Sequence, residues 1–454
     1  MDTICPVWRA AHAQATSQPR WLVTVAFGAL PAVGPGCWPR GVPVMTTWIL
    51  GGFQTDFARA YAKEGLDISD LIAETTRGTL EACRVDPGEI ETIHVGNAFG
   101  ELYNGQGHLG AAPASMIPEL WGVPAMRHEA ACASSSVAVL AAMAELEAER
   151  YDVALVLGVE QERTMPGSQA ARVQTAASWV GREYRDVEFV WPHTFDALAD
   201  EYDRRFGLDD GYLRAIARLN RNNARTNPSA QTRSWVVADA EFGTDDTVNP
   251  VVAGRLRRTD CCQITDGGVG LVVVSQRWRD QHESRQTQRG TWSRVAGWGH
   301  RTVGLGFETK LGRDERDPYV LSHVRRTITD AWERAGVSGI DDIDAIEAHD
   351  CMTPSEYMAI DHFGITAPGE SWKAIEDGSI ERDGAMPINP GGGLIGGGHP
   401  VGATGARMVL DAAKQVTGQA GDVQVDGARR VQTLNIGGST ATTVSFIVDN
   451  GDPA

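Results

Sequence analysis

The chain has 454 residues, of which 42% are hydrophobic and 22% are charged, as is ordinary for a globular protein. Its formal net charge of −18 argues against nucleic acid or an anionic membrane surface as the main partner, although a local basic pocket could still hold one anionic ligand. No apolar run is long enough for a membrane span. The length allows two or three ordinary domains, or one large duplicated domain.

The cysteines are few and scattered, and no two of them form a C-x-x-C pair. They are Cys5, Cys37, Cys83, Cys132, Cys261, Cys262 and Cys351. We therefore expect no structural zinc site and no other bound metal. An odd number of dispersed cysteines indicates reduced thiols and favours a cytoplasmic protein.

Residues 1–44 differ in composition from the rest of the chain, with three tryptophans and several prolines. The apolar stretch Trp21–Leu30 has the length of a signal-peptide core. However, Met45 opens a segment that reads as a natural start with an immediate strand. We expect 1–44 to be an over-extended start or a disordered tail.

From Met45 onward, short apolar runs alternate with amphipathic stretches, which predicts an α/β fold. The N-terminal half is expected over 45–285, with an irregular, arginine-containing loop region at about 160–240. The predicted strands of this half are Trp48–Gly52, Thr92–Val95, Val153–Gly158 and Leu271–Val274, and its predicted helices are Ser69–Cys83 and an apolar segment from Cys132 to Leu146.

The second half, expected over 286–454, repeats the plan. The segment Val85–Asn97 can be laid over Val337–His349 without a gap, and each segment follows an amphipathic helix. Because several elements recur in the same order, an internal duplication is predicted. A closing strand is expected at Thr443–Val448.

Cys132 lies among small residues, immediately before a stretch that is apolar on every side. Such a helix is buried, and its N-terminal dipole would favour a thiolate. Serines at 134–136 suit a helix start, where hydroxyls can accept from free N–H groups. From these residues alone, a nucleophile and a small core cysteine remain equally good interpretations.

His399 follows six glycines in the segment Asn389–Gly405, and two further glycines follow it. The segment lacks the G-K-[ST] ending of a phosphate loop. A histidine held among glycines is well placed to act as a base for a nearby thiol. His349 and Cys351 follow a predicted strand, which is where ligands usually bind in α/β sheets. The turn at Asn435–Gly438 could supply N–H groups to an oxyanion.

Four motifs together, AACASSS around Cys132, HDCM from His349, GGGHPVGATG around His399 and NIGG from Asn435, resemble those of the thiolases. The match is to the sterol-carrier-protein-type branch, which has H-D-C-F where other thiolases have N-E-A-F. The resemblance covers about residues 45–450. It implies a duplicated five-layer αβαβα fold and an acyltransferase that cleaves 3-ketoacyl-CoA with CoA, or runs the reverse Claisen condensation.

The resemblance also assigns roles. Cys132 would be the acylated nucleophile, His399 its base, Cys351 the second acid/base, and His349 the residue that helps to stabilise the thioester enolate. Gly437 and the N–H of Cys132 would form an oxyanion hole.

The departures from the family pattern are Asn435 in place of the C-x-G cysteine, Met352 in place of phenylalanine, and Cys262 near coenzyme A, where many thiolases have serine. Arg214, Arg218, Arg221 and Arg225 share a helical spacing, so Arg221 or its neighbours would contact the coenzyme A phosphates or form a solvated face.

Coenzyme A and acyl-CoA are the implied substrates, with no permanently bound cofactor. The family resemblance also implies a homodimer or homotetramer, and a small OB-fold partner protein for some relatives. The alternative functions are a sterol side-chain carbon–carbon lyase, a ketoacyl-synthase-like condensing enzyme and a non-catalytic binding subunit.

Overall fold

The computed structural model describes residues 46–282 and 292–451. The N-terminal extension expected over 1–44 lies outside these residues. The boundary expected after residue 285 also lies outside them, in the gap at 283–291.

The strands have the following bounds: β1 (Thr47–Gln54), β2 (Thr92–Gly96), β3 (Ala125–His128), β4 (Val153–Glu160), β5 (Val251–Ala253), β6 (Leu256–Arg257), β7 (Gly267–Val274), β8 (Ser293–Thr302), β9 (Ala345–Ala348), β10 (Arg430–Gly437) and β11 (Thr442–Asp449). β5 and β6 form a small hairpin. The others form one mixed sheet in the order β3-β2-β4-β7-β1-β8-β11-β10-β9.

The helices have the following bounds: α1 (Ile68–Cys83), α2 (Gly100–Asn104), α3 (Ala112–Met116), α4 (Ser134–Glu147), α5 (Gly167–Val173), α6 (Val190–Phe206), α7 (Asp210–Ala224), α8 (Gln276–Gln281), α9 (Phe307–Arg313), α10 (Ser322–Ala335), α11 (Thr353–Phe363), α12 (Ser371–Glu376), α13 (Gly393–Gly397) and α14 (Thr404–Val416). Among the described residues, no helix is long and apolar enough to cross a membrane.

The layers follow from the alternation of side chains along each strand. In β4, Leu155 and Leu157 pack into the apolar cluster that contains α1, whereas Ala154 and Val156 pack into the cluster that contains both α4 and α14. In the second half, Phe446 of β11 also faces α4 and α14, and α10 packs on the other side. The order is therefore helix, sheet, helix pair, sheet, helix, which confirms the predicted five-layer αβαβα fold.

The duplication is visible in the sheet. Outward from the junction of β1 and β8, the two halves of the sheet have equivalent strands: β7 corresponds to β11, β4 to β10 and β2 to β9. β2 pairs in parallel with β3, and β9 makes a parallel bridge at Ile346 with Ile388. β2 and β9 lie within the two sequence segments, Val85–Asn97 and Val337–His349, that can be laid over each other.

The central helices α4 and α14 approach closely through small residues. A Cβ added to Gly405 would lie 2.2 Å from Oγ of Ser136. Because the helices meet at their N-terminal ends, the residues that precede each of them, Cys132 and His399, come to the same place.

Two expectations about local structure were wrong. The region 160–240 is not an irregular loop, because it contains α6 and α7, whose apolar sides pack into the core. The serines at the start of α4 do not cap it: the residue before the helix, Ala133, makes no capping bond, and Ser135 Oγ instead accepts from the backbone N–H of Ala406, 2.9 Å away.

Candidate active site

Cys132 lies in the tight turn between β3 and α4. The preceding residue, Ala131, has a positive φ of 50°, a conformation that non-glycine residues rarely adopt. The turn is held by Ser134, whose Oγ donates to the carbonyl oxygen of Ala131 at 2.6 Å and accepts from the N–H of Ala130 at 3.0 Å. Cys132 is therefore presented by a strained and well-bonded loop, where it is half-buried against a small apolar cluster.

The structure brings together the four residues that the sequence singled out. The sulfur of Cys132 and one ring nitrogen each of His349 and His399 lie within 4.8 Å of one another. The two rings meet edge to face, with centroids 5.3 Å apart. Cys351 and Cys262 line the same narrow pocket. A thiol with two imidazoles beside it can transfer a proton and hold an acyl group.

His399 is fixed by two hydroxyl groups. Its backbone N–H donates to Thr265 Oγ1 at 2.9 Å, and its Nδ1 lies 2.7 Å from Thr404 Oγ1. Burial, and secondarily the positive charge of Arg407, lower the pKa of His399 to about 3. The ring is therefore neutral at physiological pH, as a base must be before it takes a proton.

The ring of His349 is held by Asn435, the residue that replaces the C-x-G cysteine. Its Nδ1 lies 3.1 Å from Nδ2 of Asn435, whose Oδ1 accepts from Ser136 Oγ at 2.7 Å. Burial, the neighbouring His399 and Arg407 lower the pKa of His349 well below its usual value. This second ring is also neutral.

Cys351 follows His349 closely and lies beside Cys262, whose backbone N–H donates to the carbonyl oxygen of Cys351 at 2.9 Å. Burial raises the pKa of each thiol well above its usual range, and the nearby thiols raise it further. Cys351 is thus a protonated thiol at neutral pH and can give up a proton only to a strong base.

The expectation that the helix dipole makes Cys132 a resting thiolate does not hold. Burial raises the pKa of Cys132 to about 12, more than the backbone N–H groups of Gly438 and of Cys132 itself lower it. Desolvation therefore outweighs the dipole. Beside a histidine that is also neutral, Cys132 rests as a thiol.

The turn that is expected to bind an oxyanion reaches the nucleophile, because the backbone N–H of Gly438 lowers the pKa of Cys132. The oxyanion role of Gly437 stays a prediction. Gly437 must be glycine for lack of space, since a Cβ there would lie 2.2 Å from the carbonyl oxygen of Ala130. The two glycines let the turn approach the nucleophile loop, and the N–H groups of Gly438 and Cys132 can stabilise a developing oxyanion.

Three buried carboxylates position the glycine segment, and the sequence reasoning did not single them out. Asp350 accepts from the N–H groups of Leu394 and Ile395 at 2.6 and 3.1 Å. Glu162 and Glu160, at the end of β4, accept from the next segment of the same loop, at the N–H groups of residues 401 and 402. Acidic residues directly after buried strands were the available signal.

Of the four arginines predicted to share a helix face, one is directed inward. Arg221 is buried, stacks 4.7 Å from the ring of Trp235, and its Nε has no partner among the described residues. Burial lowers the pKa of Arg221 to about 10. Arg218 instead makes an ion pair with Asp239 at 3.0 Å, and Arg225 is exposed. Arg221 is therefore the one suited to an anionic ligand.

Comparison with known proteins agrees with the fold. A family model described as the thiolase N-terminal domain matches residues 47–277, and one described as thiolase C-terminal domain-like matches residues 307–450. An acetyl-CoA acetyltransferase from Methanothermobacter thermautotrophicus is 28% identical over 88% of this chain and 98% of its own. Sterol carrier protein 2 from Gallus gallus is 24% identical over 90% of this chain and 72% of its own.

Among solved structures, the aldolase Ltp2-ChsH2(DUF35) superposes with a TM-score of 0.68 at 19% identity, and the match covers 90% of this chain and 99% of that one. At this identity the likeness concerns the fold alone.

Proposed function

Because the chain belongs to the thiolase family and is a thiolase-type acyltransferase, we propose that it cleaves 3-ketoacyl-CoA with CoA, or runs the reverse condensation, through an acyl group on Cys132. The observation that carries the proposal is the convergence of two cysteines and two histidines. Cys132, Cys351 and His399 line one pocket, and a ring nitrogen of His349 lies within 4.8 Å of the Cys132 sulfur.

In the first half-reaction, Cys132 gives its S–H proton to His399 as its sulfur attacks the 3-keto carbon. Because Cys132 is a thiol and His399 a neutral imidazole before the reaction, the proton moves during the attack and not in an earlier step. The tetrahedral oxyanion then lies against the N–H groups of Gly438 and Cys132. A single donor of this kind contributes on the order of 10²–10³ in rate.

The carbon–carbon bond then breaks and leaves the enolate of an acyl-CoA. His349 stabilises the thioester oxygen, and Cys351 protonates the α-carbon. The high pKa of the Cys351 thiol suits this step, because its proton is retained until a carbon base appears. The resulting Cys351 thiolate deprotonates incoming CoA and becomes a thiol again. The CoA sulfur then takes the acyl group from Cys132, and the departing Cys132 sulfur regains its proton from the His399 imidazolium.

We place the coenzyme A phosphates near Arg221 and its pantetheine end near Cys262. The Arg221 guanidinium is buried, and among the described residues its Nε is unpartnered and it forms no ion pair, so an anion would complete its pairing. Coenzyme A is then a substrate that arrives and leaves, without a permanently bound cofactor.

The lyase alternative rests on the fold shared with an aldolase. Cys132 and Cys351 in one pocket, with both histidines next to the Cys132 sulfur, favour acyl transfer instead. A ketoacyl-synthase-like enzyme would not need the second thiol at Cys351, and a non-catalytic subunit would need none of the four. Acyl-CoA mixed with the protein tests the lyase and the non-catalytic subunit, because neither would leave a thioester on Cys132. A ketoacyl-synthase-like enzyme would also acylate Cys132, and it is distinguished by its failure to cleave 3-ketoacyl-CoA with CoA.

For assembly we propose a homodimer or homotetramer formed through the β3 edge of the sheet. β3 has no strand on its outer side among the described residues, and Met126 on β3 and Trp121 nearby are 42% and 75% exposed. Open edges with apolar side chains favour pairing with another strand. Light scattering of the purified chain tests this: a monomer at micromolar concentration would contradict it. The small OB-fold partner stays a prediction from the family.

The experiment for the proposed activity compares thiolysis of acetoacetyl-CoA, a long-chain 3-ketoacyl-CoA and a steroid side-chain 3-ketoacyl-CoA. Cleavage of any of them with transfer to CoA supports the proposal, and the ranking of the rates assigns the acyl group. Failure with all three, under conditions in which the protein is folded, would contradict it.

A further inference from the structure

The two active-site histidines have the same chemistry but different neighbours at Nδ1. Both rings are buried and neutral, and a neutral imidazole has one protonated nitrogen and one that accepts. Among the described residues, Nε2 of neither ring makes a hydrogen bond, whereas each Nδ1 meets one polar side chain. The neighbour at Nδ1 therefore decides which nitrogen carries the proton.

At His399 the neighbour is a hydroxyl. Thr404 Oγ1 lies 2.7 Å from Nδ1 and 3.0 Å from the carbonyl oxygen of Pro400. If the Thr404 proton points to Pro400, Nδ1–H of His399 can donate to Oγ1, and both contacts are hydrogen bonds. If the Thr404 proton points to Nδ1, only one of them is. The first arrangement makes one hydrogen bond more and puts the proton on Nδ1.

At His349 the neighbour is an amide. Ser136 Oγ donates to Oδ1 of Asn435, which turns Nδ2 toward Nδ1 of His349. With the amide reversed, the Ser136 proton would lose the one acceptor it has among the described contacts. An N–H group facing Nδ1 requires Nδ1 to accept. The proton of His349 is therefore on Nε2.

We propose that Thr404 and Asn435 are positioning residues that set opposite tautomers in the two histidines. His399, protonated on Nδ1, turns an accepting Nε2 into the site. His349, protonated on Nε2, turns a donor into the site. The inference rests on the proposed function and deepens it by dividing its roles: the first ring can only take the Cys132 proton, and the second can only donate to an enolate oxygen.

The proton transfer balances. The S–H bond of Cys132 breaks, its proton joins Nε2 of His399, and the pair becomes a thiolate and an imidazolium. That imidazolium still donates from Nδ1 to Thr404, so the hydroxyl serves both protonation states. His349 gains no proton in this step, because its accepting nitrogen is occupied by the Asn435 amide.

The tautomers can be read directly by ¹⁵N NMR of the full chain labelled at histidine, without substrate. His349→Asn and His399→Asn assign the two rings by loss of signal. We expect Nδ1–H in His399 and Nε2–H in His349. The same tautomer in both rings, or the reverse arrangement, would overturn the proposal. This readout does not depend on turnover, so it is separate from any failure of the proposed activity.

Rates of the two half-reactions test the proposal through activity. Thr404→Val should slow acetylation of Cys132 by acetyl-CoA about 10- to 100-fold, since it leaves a buried N–H without an acceptor, and Thr404→Ser should restore it. Asn435→Leu should reduce 3-ketoacyl-CoA cleavage by a similar factor, while Cys132 acetylation stays within about twofold of the unsubstituted protein.

A merely structural role predicts a different pattern. Equal losses in both half-reactions for both variants, with no rescue by Thr404→Ser, would contradict the division of roles. If Asn435→Leu does not fold, Asn435→Ala is measured in its place, with the NMR spectrum of His349 as the deciding observation: retention of a single Nε2–H tautomer without the amide would also overturn the proposal.

Discussion

The side-chain amide of Asn435 lies 3.1 Å from Nδ1 of His349, at the position where most members of the family are expected to carry a catalytic cysteine. Two thiols besides that of Cys132 line the same pocket, and they come from Cys351 and Cys262. The C-terminal turn therefore orients an imidazole and supplies no thiol.

Cys351→Ala should separate the two halves of the reaction. Cleavage of 3-ketoacyl-CoA should fall on the order of 10²- to 10⁴-fold, because the enolate loses its proton donor. Acetylation of Cys132 by acetyl-CoA should remain detectable by mass spectrometry. Cys83→Ala, which removes a buried thiol of α1 far along the chain from the site motifs, is the matched control and should cleave substrate normally. Full activity of Cys351→Ala would show that another group protonates the enolate.

The resting state of Cys132 can be measured by its alkylation with iodoacetamide as a function of pH. Because burial raises its pKa to about 12, the reactive thiolate is a small fraction at neutral pH. The rate should rise roughly tenfold per unit between about pH 7 and 9. Peptide mapping confirms the site of modification. A rate that is already constant below about pH 7 would instead indicate a thiolate–imidazolium pair.

Arg221→Met should weaken the binding of coenzyme A more than it lowers kcat. The variant keeps an unbranched side chain in the buried position, but removes the charge and the guanidinium that stacks on Trp235. We expect KM for CoA to rise about tenfold, with kcat within about twofold, since a charge-assisted hydrogen bond contributes on the order of 1.5–3 kcal/mol. Arg225→Met, on the exposed side of the same segment, is the control. A fall in kcat with KM unchanged would move Arg221 away from the coenzyme A site.

Metal removal should leave activity unchanged. The thiol and imidazoles of Cys132, His349 and His399 are of types that also bind Zn²⁺, so the absence of metal is a prediction that needs a test. Thiolysis after dialysis against EDTA should match the untreated rate within about twofold. Loss of activity with recovery on added Zn²⁺ would contradict a reaction carried by the thiols and imidazoles alone.

Much of the fold could be predicted from the sequence because its strands are short apolar runs with clear ends. β1, β2, β4 and β7 lie at the predicted places, and so does the closing strand β11. The region at 160–240 was misjudged as irregular, although the helical spacing of the arginines at 214, 218, 221 and 225 already indicated a helix within it. Polar residues dominate the composition of α6 and α7, and their apolar sides are buried against the C-terminal half.

The reactive site residues were identified by unusual neighbouring residues in the sequence, such as the glycines around His399. Residues that position them were missed because their partners are distant in the chain. Glu162 and Val401 are joined by a 2.7 Å hydrogen bond across 239 positions, and Asn435 and Ser136 by one across 299. The protonation of Cys132 was also misjudged, since the helix N-terminus is visible in the sequence but the walls that desolvate the sulfur are not.

The central claim is that an acyl group passes through Cys132. The most direct measurement is mass spectrometry of the protein mixed with acetyl-CoA, quenched in acid and digested. We predict an acetyl group on the peptide that contains Cys132, its removal on addition of CoA, and its absence in Cys132→Ala together with loss of thiolysis. A protein that cleaves 3-ketoacyl-CoA without any acyl group on Cys132, or a Cys132→Ala variant with near-normal thiolysis, would contradict the account.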